Sequence, residues 1–171
     1  MLYSLGDFQL ALSAYDFLLE CDPDKTYSTK ELRRFRCFET TMVIAYSRPF
    51  TATKGNSPKL SLKMTGAELS QEEKALHHEI IESRNTVMAH SDHEFMRMAV
   101  ETFPVEMQDN RQPINMFVAN YDEGLSFIGK KLLAVGELLH KLHGSLHRSL
   151  IHQSHDDPDK LNIRINADQP L

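Results

Sequence analysis

The chain has 171 residues, 41% hydrophobic and 25% charged, which suits one soluble globular domain able to bury a core without metal or disulfide help. A net charge of −5 excludes a generic nucleic-acid coat, so any RNA contact has to use a local basic patch or a pocket. No run approaches the roughly twenty apolar residues of a membrane span, and Met1 to Asp7 lacks the basic start of a secretory leader. Two cysteines, Cys21 and Cys37, are too few for a disulfide framework and point to a reducing, cytoplasmic setting.

Residues 7 to 20 form the first expected helix: Phe8, Ala11, Leu12, Tyr15, Leu18 and Leu19 recur every three or four positions. Cys21-Asp22-Pro23-Asp24 stops it, since proline cannot continue the hydrogen-bond ladder. Ser28 followed by Glu31 is a capping-box signal for a second helix, whose face carries Leu32, Phe35, Phe38, Met42, Ala45 and Tyr46 up to Ser47-Arg48-Pro49. Lys30, Arg33, Arg34 and Arg36 make its first turns the densest basic cluster in the chain. They read either as a solvated helix face or as a contact to an RNA backbone.

A polar connection over residues 49 to 68 follows, in which the alternation of Leu60, Leu62 and Met64 suggests a short extended piece. Ser70 and Glu73 repeat the capping-box pattern and open a third long helix with Leu76, Ile80, Ile81, Val87 and Met88 inward. His77 and His78, adjacent and so pointing apart, read as a solvated pair. Ser91-Asp92-His93-Glu94 is a further capping signal, so this helix is expected to end or bend near His90.

The period then changes to two. Met96, Met98, Val100 and Thr102 alternate with Arg97, Ala99, Glu101 and Phe103; a turn at Gln108 to Pro113 leads to a second apolar stretch, Ile114 to Tyr121. A β-hairpin inserted over about residues 95 to 121 is the expectation. Asp122 is read as the cap of a last helix running to about His152, with Leu125, Ile128, Leu132, Val135, Leu139, Leu142 and Leu146 inward. Gly129 and Gly136 on it would permit close backbone approach. His140, His143 and His147 share a face, but no carboxylate at ligand spacing supports a metal, and neither metal nor cofactor is expected. The domain is placed at residues 1–154, with a loosely held tail at 155–171.

The functional residues lie at the end of the third helix, in Arg84-Asn85-Thr86-Val87-Met88-Ala89-His90-Ser91-Asp92. Arginine binds phosphate through a bidentate fork and histidine moves a proton near neutral pH. In a regular helix, at about 100° per residue, Arg84 and His90 would point roughly 120° apart. One copy therefore cannot bring both to one phosphate unless the helix breaks before His90 or a second copy completes the site.

Arg84-Asn85 with Ala89-His90-Ser91-Asp92 resembles the arginine-then-histidine signature of the HEPN superfamily. The resemblance implies a mainly α fold, an antiparallel bundle of four or more helices, here with a small β-hairpin insertion after the third long helix. It implies a metal-independent endoribonuclease in a toxin or antiviral defence role, working as a homodimer in which two motifs form one composite cleft. Carried over by position, Arg84 binds phosphate and stabilises the transition state, His90 is general acid or base, and Asn85 orients the site. Ser91, Asp92, Arg33, Arg34 and Arg36 are candidate substrate contacts, and an antitoxin or nucleotidyltransferase is a candidate partner. Glu39 and the basic cluster lie upstream at a spacing that departs from the acidic-and-basic motif some members carry. The alternative is a non-catalytic HEPN-like dimer that binds a nucleotide, RNA or a protein.

Overall fold

Helix α1 (Leu2–Leu18) starts before the first strong periodic residue because Leu2 and Leu5 extend the apolar stripe and pack against the core. Its buried positions, Ser4, Phe8, Ala11, Tyr15 and Leu18, step by three and four. Leu18 is the last of them; Leu19, expected inward, is largely exposed. Beyond it the chain turns, with the Cys21 N–H donating to the Leu18 carbonyl at 3.0 Å and the Asp22 N–H to Tyr27 Oη at 2.7 Å. The computed structural model to which these elements belong describes residues 1–51, 59–85, 98–105, 114–121 and 124–156.

Helix α2 (Thr29–Ser47) opens on the expected capping box: Ser28 Oγ accepts the Glu31 N–H, and Glu31 Oε2 accepts the Ser28 N–H at 2.8 Å. Phe35, Met42, Val43 and Tyr46 line its buried face. It gives way at Arg48–Phe50 to one 3-10 turn containing Pro49, whose carbonyl takes the Leu60 N–H at 2.8 Å. The extended piece expected around Leu60 to Met64 is instead a single helical turn, α3 (Leu62–Thr65). Alternation was too short a signal against its two ends. Ser61 Oγ accepts the Met64 N–H at 3.3 Å, and Gly66 adopts the left-handed conformation, φ 72°, that closes a helix.

Helix α4 (Gln71–Ser83) begins on the second capping box, with Ser70 Oγ accepting the Glu73 N–H at 3.1 Å and Glu73 accepting the Ser70 N–H at 2.6 Å. The hairpin comprises β1 (Met98–Val105) and β2 (Ile114–Tyr121), antiparallel, with Glu101 opposite Val118 and Phe103 opposite Met116. Its second strand has the bounds expected from sequence; the turn at 108–113 lies outside the described residues, as does Asp122. Helix α5 (Gly129–Asp156) starts later than expected and runs beyond His152. Residues 124 to 128 are not helical, because the backbone N–H groups of Ser126 and Phe127 bind Glu39 on α2.

Among the described residues the chain is thus mainly α-helical, with a small antiparallel hairpin. Helix α1 packs on α2 and α5, α4 packs on α2, and α3 rests on α5. The core between them holds Phe8, Phe35, Met42, Tyr46, Leu139 and Leu142, all 2% exposed or less.

Gly136 marks a tight contact between α5 and α1, for a Cβ there would enter the Tyr15 ring. The sequence suggested that a partner's backbone approaches this glycine; the group found there is the Tyr15 side chain of this chain's own α1. Alanine is the better helix former by about 1 kcal/mol, yet overpacking costs about 1–3 kcal/mol. Gly136→Ala is therefore expected to lower the urea midpoint, and Tyr15→Leu in the same chain to recover part of the loss. An unchanged or raised midpoint in the single variant would contradict this packing.

Candidate functional site

Arg84 stands where α4 changes pitch. Its backbone N–H reaches the carbonyls of both Ile80 and Ile81, and the pitch is π-type at Arg84 and Asn85, the last described residues of this stretch. Such widened turns occur often at functional sites, because they re-aim side chains that a regular helix would carry past. Arg84 is half-buried, Asn85 is exposed, and Arg84 Nη1 donates to Asn85 Oδ1 at 3.0 Å. One edge of the guanidinium is thereby steadied by a neutral acceptor, which leaves its positive charge uncancelled by that contact. His90, Ser91 and Asp92 lie outside the described residues.

The basic cluster on α2 divides. Lys30, Arg33 and Arg34 are exposed, and Arg34 Nη2 pairs with Glu20 at 3.0 Å, an exposed contact worth little in water. Arg36 turns inward. Its Nη1 donates to Glu39 Oε2 at 2.9 Å and to the Gly124 carbonyl at 2.8 Å. Glu39 has no exposed surface, and its Oε1 takes the N–H groups of Ser126 at 2.6 Å and Phe127 at 2.8 Å. Burial pushes the Glu39 carboxyl above its ordinary range, opposed by those two backbone donors and by Arg36. This clasp of four hydrogen bonds ties α2 to the segment just before α5. Sequence reading missed it, since a glutamate on an amphipathic helix ordinarily faces water; its one signal was a position flush with the apolar stripe, seven residues before Tyr46.

His77, read as half of a solvated pair, is a core residue only 6% exposed; His78 is the exposed member. His77 Nδ1 lies 2.8 Å from Tyr46 Oη, and the ring meets Phe50 edge-on at 4.7 Å. Burial, with a smaller contribution from His78, lowers the His77 pKa to about 4, and burial raises that of Tyr46, so both rings are neutral at pH 7. The ordinary histidine value is about 6.5, so between pH 6.5 and 4 the unfolded chain binds a proton that the folded chain refuses. Stability from this group is complete above pH 6.5 and falls as pH drops toward 4, by at most about 3 kcal/mol. Urea unfolding at pH 7, 6 and 5 is expected to show that loss, and His77→Gln, which keeps a partner for Tyr46 but cannot titrate, to flatten it. Parallel pH profiles for the two proteins would refute the assignment.

The His140, His143 and His147 face of α5 holds together by ring contacts: His143 and His147 stack at 6.5 Å, and His140 meets Tyr15 edge-on. Burial first, then the charges of His147 and His140, lower the His143 pKa. No group of three metal-binding side chains is found among the described residues, and no helix there is long and apolar enough to cross a membrane. No family model, curated protein or solved structure matches the chain.

Proposed function

We propose that the protein is a metal-independent endoribonuclease of the HEPN kind, acting in a toxin or defence setting. The observation that supports this reading most is the half-buried Arg84, braced by Asn85 on the widened turn that ends α4. An arginine prepared in this way loses little freedom on meeting a phosphodiester. His90, six positions on, supplies the proton transfer. It takes the 2′-OH proton as that oxygen attacks phosphorus, and a second histidine, from the other copy of the chain, returns a proton to the departing 5′-oxygen. Arg84 balances the charge that builds on the non-bridging oxygens. The P–O5′ bond breaks as the P–O2′ bond forms, leaving a 2′,3′-cyclic phosphate and a 5′-hydroxyl. DNA lacks the nucleophile and is resistant. Arg33 and Arg34 are exposed on α2 and are the candidate contacts to the rest of the strand; Arg36, held by Glu39, is the least available of the three.

The test is cleavage of varied single-stranded RNAs by purified protein in EDTA, with the ends of the products identified. Cyclic phosphate ends, and no cutting of the matching DNA, are the expected result. Absence of cleavage, or cleavage that EDTA abolishes, would refute it.

A second reading draws on the internal use of Arg36 and the net charge of −5, which together thin the basic surface an RNA would meet. In it, the same motif binds a nucleotide or a protein, such as an antitoxin, without chemistry. Binding by an uncleaving protein, weakened in Arg84→Ala, would select it.

A further inference from the structure

Both faces of the hairpin are apolar and both are exposed. On one face Phe103 lies opposite Met116, Val105 opposite Ile114, and Glu101 opposite Val118; on the other Val100 lies opposite Ala119 and Thr102 opposite Phe117. Val100, Phe103, Ile114, Met116, Phe117 and Val118 are 43 to 70% exposed. At about 150–250 Å² for a whole aromatic side chain and less for an aliphatic one, this is on the order of 500 Å² of apolar surface per chain, the size of the largest patch on a typical monomer. A two-stranded hairpin is also marginal by itself and gains stability from added strands.

The two edges are unequal. Strand β1 carries Glu101 and Pro104, a charge and a residue without an N–H, both of which discourage pairing with another strand. Strand β2, Ile-Asn-Met-Phe-Val-Ala-Asn-Tyr, has neither charge nor proline over eight residues. The sheet has two strands among the described residues, so the outer edge of β2 presents its N–H and C=O groups unpaired within that sheet. We infer that β2 pairs antiparallel with β2 of a second copy of this chain, making a four-stranded sheet across a two-fold axis.

A second copy suits this edge better than a foreign strand because an antiparallel strand is complementary to itself about a two-fold axis. In the register centred on Val118, Val118 faces its own copy, Phe117 faces Ala119 and Met116 faces Asn120, with no charge brought against a like charge at β2. Edge pairing joins the strand backbones and the flanks of the β2 side chains and leaves the apolar faces of the sheet open, so the contact falls among the small, weak interfaces of less than about 1,200 Å². The inference rests on the hairpin alone: a dimer formed through β2 upholds it whether or not the protein cuts RNA, and an active monomer overturns it.

Sedimentation of the whole protein from about 1 to 100 µM tests the pairing, with Val118→Lys as the breaking variant. Lysine at 118 faces Glu101 within the same hairpin, an opposite-charge pair that preserves the monomer fold. Across the two-fold axis it sets two lysines near one another, which is expected to weaken association by about 100-fold or more. Val100→Lys, at a position slightly more exposed but on β1, is expected to leave the dimer intact. In wild type the amides of residues 114 to 121 should gain hydrogen-exchange protection as concentration rises. A monomer throughout the range, a dimer indifferent to Val118→Lys, or equal disruption by Val100→Lys would each overturn the β2 pairing.

Discussion

Glu39→Ala is expected to destabilise the fold by about 3–5 kcal/mol, the cost of breaking a buried ion pair from one side. The loss has a definite anatomy. Removing the carboxylate leaves the N–H groups of Ser126 and Phe127 without their acceptor, and leaves Arg36 holding the Gly124 carbonyl alone. Glu39→Gln keeps Oε1 for the two backbone donors but sets an amide NH₂ toward Arg36, so it should lose less, about 1.5–3 kcal/mol for a charged hydrogen bond. Acidity separates wild type from both variants. Burial raises the Glu39 pKa, so its contribution is fully present below the ordinary carboxylate value and declines as pH rises through the raised one. The deficit of Glu39→Gln against wild type should therefore shrink between pH 4 and pH 7. A double-mutant cycle with Arg36→Ala measures the coupling directly. A Glu39→Ala protein within about 0.5 kcal/mol of wild type would show that the clasp contributes nothing to stability.

His90→Ala is expected to lower RNA cleavage by about 10²–10⁴-fold with the fold unchanged, the range for loss of a positioned acid–base group. Arg84→Ala should lose a comparable factor for a different reason, since it removes charge from the transition state and also some ground-state affinity for phosphate. The two variants then part in kinetics: the histidine change acts on kcat, the arginine change on kcat and KM together. Asn85→Ala, which frees the Arg84 guanidinium without removing it, should fall between wild type and Arg84→Ala. Mixing His90→Ala chains with wild-type chains adds a test of the composite cleft. A cleft that takes one histidine from each copy is disabled by a single variant chain, so activity should fall more steeply than the share of wild-type chains, and activity in simple proportion to that share would refute shared sites.

Much of the fold was legible because its signals are local. The Ser28–Glu31 and Ser70–Glu73 boxes set two helix starts within one turn of chain, and the change from a period of three or four to a period of two located β2 to the residue. Features that depend on distant partners were not legible. Leu2 and Leu5 lengthen α1 only because a core lies beneath them, and α5 starts at Gly129 rather than Asp122 because a glutamate on α2 captures the preceding N–H groups. His77 looked like its neighbour His78, and only the packing of Tyr46 and Phe50 distinguishes them. At the candidate site, sequence brought Arg84 and Asn85 to one helix end. It could not foresee their mutual hydrogen bond or the inward turn of Arg36, which are decided by pitch and by the Glu39 carboxylate.

The bond from Glu39 to Phe127 spans 88 positions along the chain, and the whole hairpin lies within the loop it closes. Loop-closure entropy rises only with the logarithm of length, about 0.6 kcal/mol for each doubling. Shortening or extending the inserted strands therefore changes the cost of closing that ring by a few tenths of a kilocalorie per mole. The helical framework is in this sense indifferent to the size of what it carries. The hairpin can be remade, lengthened or exchanged during divergence while the bundle beneath it keeps its stability.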